Sequence, residues 1–192
     1  ESDETVMYDR GGWVFWMLYD FMGHDRALAG VQHFIRTWSE SRDHPALQDF
    51  VAAMRPYAAN SSEYDAFVKQ WFEDRALPEY RITEARKVKR GSGYDVTLTV
   101  QNTGTGRMPV EIAAAAGERW AKASKDASKE RDSPGRPSAQ SPSYREARES
   151  ITLGAGESRT LTIHCAFPPE KIVVDPDVRV LQLRRKQAVA SL

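Results

Sequence analysis

The groups best suited to chemistry stand together near the beginning of the chain, where Tyr8, Asp9 and Arg10 precede Gly11. They place a phenol, an acid and a base immediately before a run, residues 13–19, that is apolar on nearly every side. A helix that is apolar all round is normally buried within a larger protein. Spacing alone favours the simpler explanation that Tyr8 is an aromatic residue at the start of that helix.

The remaining reactive side chains are four histidines and one cysteine, and none has the spacing of a known metal site. Neither His-x-x-x-His nor a Cys/His cluster occurs among His24, His33, His44, His164 and Cys165. His164 and Cys165 could suggest a thiol nucleophile, but neighbours on a strand point to opposite faces. The sequence therefore predicts a half-buried thiol, no metal site, and no catalysis by this chain alone.

Composition sets limits on partners and compartment. The chain has 27 basic and 27 acidic residues, so no net field attracts nucleic acid or an anionic membrane. A single cysteine excludes an internal disulfide framework. The longest apolar run is far shorter than the roughly 20 residues that span a bilayer. The sequence does not determine the cellular compartment, and we expect a cytoplasmic chain or one that is membrane-associated through a longer parent protein.

The apolar spacing predicts helices over residues 1–77. The first should end at Gly23, and a second should place Leu28, Val31, Gln32, Ile35 and Trp38 on its inner face. Because the first helix needs burial and starts so close to Glu1, we expect the chain to be a piece of a longer polypeptide. Exposure of that helix should favour self-association.

After Pro78 the period changes to two, which predicts strands over residues 78–192. About seven short strands are expected, at residues 80–88, 94–100, 108–112, 151–153, 161–165, 172–174 and 178–183. Their spacing and turns fit an antiparallel immunoglobulin-like β-sandwich, so the predicted fold class is α+β. Residues 117–148 are polar and rich in Lys, Ser and Pro, which predicts a mobile loop, with a binding loop as the alternative.

Three segments of the sequence form a recognisable pattern: Tyr8-Asp9-Arg10-Gly11, a helix with Phe34 and Trp38, and Phe67-Val68-Lys69-Gln70-Trp71-Phe72 before Leu77-Pro78-Glu79-Tyr80. Together they resemble the aminopeptidase N-like zinc metallopeptidases, the gluzincins. The resemblance covers nearly the full chain, because the family follows its catalytic helices with a β-sandwich. Here Asp9-Arg10 replaces the Glu-Lys of the family's Tyr-Glu-Lys-Gly motif, which shortens the acid and changes the shape of the base.

The resemblance implies that Tyr8 is a catalytic residue of a parent aminopeptidase. In that role its phenol, protonated at neutral pH, donates a hydrogen bond to the oxyanion formed as a peptide is hydrolysed. The parent's zinc ligands would lie upstream of Glu1, so the chain itself should bind no catalytic zinc and be inactive alone. A membrane permease domain in the parent is also conceivable by this resemblance. The rival interpretation is a noncatalytic interaction module whose sandwich binds a partner.

Overall fold

The computed structural model describes residues 10–41, 43–119 and 141–192. Its first part is helical, with α1 at Gly11–Met22, α2 at His24–Trp38, α3 at Leu47–Met54 and α4 at Ser61–Val68. A 3-10 turn, Arg55–Tyr57, follows α3, and a π-helical turn, Lys69–Glu73, continues α4. Of the described residues, none belongs to a helix long and apolar enough to cross a bilayer.

The second part consists of seven described strands in two antiparallel sheets. The strands are β1 (Tyr80–Arg90), β2 (Gly93–Asn102), β3 (Met108–Ala116), β4 (Arg145–Leu153), β5 (Ser158–Cys165), β6 (Lys171–Val174) and β7 (Val189–Ser191). One sheet has the order β1-β2-β5 and the other the order β4-β3-β6-β7. The chain is therefore α+β, as the change of apolar period predicted. The boundary at residues 77 and 78 between two domains stays a prediction.

Period-two alternation directs the strand side chains into one core. On β2, Val96, Leu98 and Val100 are buried while the residues between them are only partly covered. Ile112 of β3 and Ile172 of β6 belong to the same buried cluster. The two sheets therefore face each other across a shared apolar interior, which is the expected arrangement of a sandwich.

The helical part continues this core but leaves apolar side chains at its surface. Val14, Met17, Leu18 and Met22 of α1 are buried, as its composition predicted. Helix α1 ends at Gly23, whose φ of 80° and ψ of 139° suit only a residue without a β-carbon.

The predicted inner face of α2 is wrong in part, although Val31 does pack against the core. Its fully buried residues are Ala27 and Gly30, while Leu28 and Ile35 are 49% and 56% exposed. The reason is close packing at Gly30, where a β-carbon would lie 2.7 Å from the sulfur of Met54. Gly30 therefore faces α3, and Leu28 and Ile35 turn outward.

The seventh predicted strand, at residues 178–183, does not form. Asp175 and Val178 have positive φ values of 57° and 56°, which turn the chain away from the sheet. The Asp175 carboxylate accepts hydrogen bonds from the backbone N–H groups of Arg179 and Val180 at 2.7 and 3.0 Å. Because these donors are already satisfied, this segment does not join the sheet, and residues Val189–Ser191 pair with β6 instead.

The predicted loop 117–148 is too long at its carboxyl end. Strand β4 already begins at Arg145, because the charged residues there are paired across strands rather than solvated. Arg148 lies 2.7 Å from Glu111 of β3 and 2.7 Å from Glu146 of its own strand. Most of the predicted loop, residues 120–140, lies outside the described residues.

Candidate functional site

Tyr8 and Asp9 lie outside the described residues, but the third member of the motif, Arg10, is described at the start of α1. Its guanidinium donates to the backbone carbonyls of Trp71 at 3.5 Å and Asp74 at 3.1 Å. These carbonyls belong to the end of the α4 helical segment, where the last C=O groups have no partner within the helix. A cation at that position is also favoured by the helix dipole. Arg10 therefore ties the start of α1 to the end of the π-helical turn.

Aromatic contacts hold α1 against the other helices. Phe15 meets Phe50 and Phe72 edge to face, at ring-centroid distances of 5.1 and 6.1 Å. Phe21 stacks on Phe67 of α4 at 4.9 Å. Edge-to-face and offset-stacked pairs add to the free energy gained by burial alone. The segment that follows the Tyr8 motif is thus held on both flanks, which makes it a rigid support for residues at its amino end.

The histidines do not come together. His24 stacks on Tyr19 at 4.5 Å, and His33 lies 5.8 Å from the ring of Tyr57. The Nδ1 atom of exposed His164 is 2.7 Å from the Asp95 carboxylate. No group of three or more His, Cys, Asp or Glu side chains placed to hold a metal ion occurs among the described residues.

Cys165 is not arranged as a nucleophile. Its thiol is buried in the sandwich core, whereas the neighbouring His164 points to solvent. Burial raises the pKa of the Cys165 thiol, and the negative charge of Asp95 raises it further. Because the thiolate is the reactive form, a raised pKa lowers reactivity at neutral pH. The side chain packs as the alternation along β5 predicted.

A cluster of charges that the sequence did not predict covers the outer face of β3 and β4. Arg148 lies at its centre and contacts Glu111, Glu146 and Asp177. Its hydrogen bonds hold the pKa of the Asp177 carboxyl well below the usual range, and Arg119 adds to the effect. All these charges are paired with one another, so the cluster stabilises the sheet and offers no free group for catalysis.

An open cleft lies between α4 and strands β3 and β4, with a volume of about 470 Å³. Ligand sites of this size are common where two parts of a protein meet. Phe21, Ala66, Phe67, Met108 and Pro109 give it an apolar floor. The polar groups at its rim are Glu63, Lys69, Gln70, Asp74, Arg107 and Thr152.

The rim of the cleft is fixed by a single glutamine. The Gln70 side-chain oxygen accepts from the Arg107 N–H at 2.6 Å, and its amide donates to the Arg107 carbonyl at 3.4 Å. Sequence reasoning missed these residues, although one signal was present. Glu63, Phe67 and Gln70 stand at positions i, i+4 and i+7, a spacing that places residues on one face of a helix. Nothing in the sequence indicated that Arg107, 37 residues later, would join them.

Comparisons with known proteins give only distant structural similarity. No family model matches the chain, and no curated protein matches it. The CARDB domain of a Pyrococcus furiosus protein is 16% identical, with a TM-score of 0.37 over 60% of this chain and 85% of that domain. A Bifidobacterium adolescentis β-glucosidase is 20% identical, with a TM-score of 0.32 over 60% of this chain and 17% of the enzyme. The β-glucosidase DesR of Streptomyces venezuelae is 15% identical, with a TM-score of 0.34 over 64% of this chain and 16% of the enzyme. These similarities extend to a distant immunoglobulin-like fold and carry no inference about activity.

Proposed function

We propose that this chain is the carboxyl-terminal part of a zinc-dependent aminopeptidase-like protein that removes amino-terminal residues from peptides, and that it is inactive alone. The described residues offer no set of zinc ligands. In this proposal the metal is held by segments upstream of Glu1. This chain contributes Tyr8, whose phenolic O–H donates to the oxygen that becomes negative as the peptide carbonyl is attacked.

The observation that supports this role is the contact of Arg10 with the carbonyls of Trp71 and Asp74. A hydrogen-bond donor stabilises a transition state only if it is held in place before the reaction. Arg10 stands two residues after Tyr8, and it fixes the chain there to the end of a separate helical segment. In the proposal Arg10 is a positioning residue for Tyr8, which acts on the substrate directly.

The encoded sequence upstream of Glu1 provides the first test. A His-Glu-x-x-His motif followed by a further Glu agrees with the peptidase, since these are the ligands and base that the proposal requires. If both are absent, the proposal is wrong, and a noncatalytic interaction module takes its place. A membrane permease domain in the parent is tested by the same reading, because its spans would be runs of about 20 apolar residues.

The second test uses the longer parent protein and an aminoacyl-coumarin substrate. Tyr8→Phe should lower kcat by about a hundredfold to a thousandfold with little change in KM, because the lost donor acts in the transition state. Tyr19→Phe is the matched control, since Tyr19 lies on α1 and stacks through its ring. Arg10→Ala should lower kcat and Arg10→Lys should restore part of it, because the carbonyls need a cationic donor.

Two results would contradict the proposal. One is a Tyr8→Phe variant of the parent that keeps the kcat of the unsubstituted protein. The other is chelator-sensitive hydrolysis of the coumarin substrate by this chain alone, purified free of contaminating protease. The first result would show that Tyr8 does not stabilise the transition state. The second would show that the zinc ligands do not lie upstream of this chain.

A further inference from the structure

We propose that the cleft between α4 and the sandwich binds a short peptide, two or three residues long, with apolar side chains and both termini free. The first described residue that lines the cleft is Phe21, so the proposed site requires no part of the Tyr8 segment. The proposal concerns binding and no chemical step. It therefore goes beyond the proposed peptidase function and does not depend on it.

The first argument is the order of chemical groups along α4. On the cleft-facing side, Glu63 and Phe67 of α4 are followed by Gln70 of the π-helical turn, and Gln70 holds the backbone of Arg107 by two hydrogen bonds. An acid therefore stands at one end of the cleft, an apolar floor lies in the middle, and a base stands at the other end. A free peptide with apolar side chains carries the complementary order, with an ammonium group, an apolar body and a carboxylate.

The second argument is that these two charges are available. Neither the Glu63 carboxylate nor the Arg107 guanidinium has a side-chain partner among the residues that the structure describes. The other two charges on the rim, Lys69 and Asp74, pair with each other at 3.3 Å. The cleft thus presents one acid and one base to a ligand without a net charge, which favours a zwitterion over a simple anion or cation.

The third argument is distance. Glu63 and Gln70 are seven residues apart, which corresponds to about 10 Å along a helix. An extended peptide advances about 3.3 to 3.6 Å per residue, so three residues span the same length. A dipeptide reaches across when the long side chains of Glu63 and Arg107 lean inward. A free amino acid is too short to meet both charges.

The fourth argument is the rigidity of the floor and the basic end. Phe21 is partly exposed and stacks on the buried ring of Phe67, so this part of the apolar floor is held in place before a ligand arrives. The backbone of Arg107 is held on both its N–H and its C=O by Gln70. A site arranged in advance loses less conformational entropy when it binds.

The test is calorimetric titration of the full chain with trileucine, in the presence of a chelator so that hydrolysis does not contribute. We expect saturable binding with a dissociation constant of about 1 mM or tighter. Acetylation of the amino terminus and amidation of the carboxyl terminus should each weaken binding about twofold to fivefold, the range for ion pairs that keep contact with solvent. Because these ligands are compared on the unsubstituted chain, this part of the test requires no folded variant.

Substitutions then assign the two ends. Glu63→Gln should abolish the preference for a free amino terminus, and Arg107→Gln should abolish the preference for a free carboxylate. Glu84→Gln and Arg86→Gln, on exposed β1 outside the cleft, are the matched controls and should change neither preference.

Absence of saturable binding would overturn the proposal, and so would equal affinity for the free and doubly blocked peptides. A failure here is distinguishable from failure of the peptidase proposal, since trileucine binding and coumarin hydrolysis are measured separately.

Discussion

Replacement of Asp175 by Asn tests how the segment after β6 is held. The Asp175 side chain is only 4% exposed, and its carboxylate is close to four donors. Two are the backbone N–H groups of Arg179 and Val180, one is the Gln182 amide at 3.4 Å, and one is the Arg185 guanidinium at 2.9 Å. Asparagine has nearly the same shape but replaces one oxygen with an NH₂ group. That group faces donors and cannot accept from them.

The expected loss follows from the atoms affected. The second oxygen, Oδ2, accepts from Val180, Gln182 and Arg185, while Oδ1 accepts from Arg179. Whether the amide oxygen of asparagine takes the place of Oδ1 or of Oδ2, at least one buried donor loses its partner. Each such loss lowers the unfolding free energy by about 1 to 3 kcal/mol. Loss of one member of a buried ion pair typically costs about 3 to 5 kcal/mol in total. Because Arg185 keeps its bond to the Val180 carbonyl, we place the loss of unfolding free energy at about 3 kcal/mol.

Urea unfolding followed by far-ultraviolet circular dichroism measures this loss. Asp65→Asn is the matched control, since Asp65 also pairs with an arginine, Arg55, but half of each side chain is exposed. The control should leave the urea midpoint nearly unchanged, because exposed ion pairs contribute little. If Asp175→Asn lowers the unfolding free energy by less than about 1 kcal/mol, the carboxylate is not what holds this segment.

Three further predictions concern single sites. Val178→Gly should raise the unfolding free energy by about 1 kcal/mol, since a β-branched residue at φ 56° is strained, and a lower thermal midpoint would contradict this. Asp177→Asn should reduce the loss of unfolding free energy between about pH 4 and pH 2. The depressed pKa of Asp177 gives stability that is present above its unfolded pKa and is lost as the pH falls through its folded pKa. Acid unfolding curves that are equally steep in both proteins would refute this. Trp16→Ser and Ile35→Ser should reduce self-association, because these side chains are 50% and 56% exposed, and a strictly monomeric unsubstituted chain in sedimentation would exclude that association.

The parts of the fold that could be predicted are those in which local pattern and burial agree. Alternation along β2 places Val96, Leu98 and Val100 inward, and the structure buries all three. Strand β1 ends at Arg90 and β2 begins at Gly93, within the break that the sequence predicted between residues 88 and 94. Both features depend on neighbouring residues, so a window of a few residues contains the necessary information.

The parts that failed depend on partners distant in sequence. Residues 178–183 alternate like a strand, yet Glu79 accepts from the backbone N–H groups of Leu183 and Arg184 at 2.8 and 3.0 Å, across more than 100 residues. A carboxylate that satisfies backbone donors competes with a strand ladder for the same groups. Likewise, the outward turn of Leu28 depends on the sulfur of Met54 against Gly30. The spacing of apolar residues along the sequence contains no information about contacts of this kind.

The candidate site likewise combines features set by neighbouring residues with contacts between residues distant in sequence. Its locally unusual features coincide at the π-helical turn Lys69–Glu73, because π-helical turns are rare and occur often at functional sites. The indole N–H of Trp71 is buried there and has no hydrogen-bond partner among the described residues, a state that folded proteins normally avoid. On one side, Arg10 donates to the Trp71 carbonyl, and on the other, Gln70 holds Arg107 at the cleft. Departures from local rules are expected where function constrains a structure. Two adjacent residues of this turn therefore have different contacts: Trp71 binds Arg10, and Gln70 holds the rim of the cleft. Substitutions in the turn should disturb both the start of α1 and the cleft.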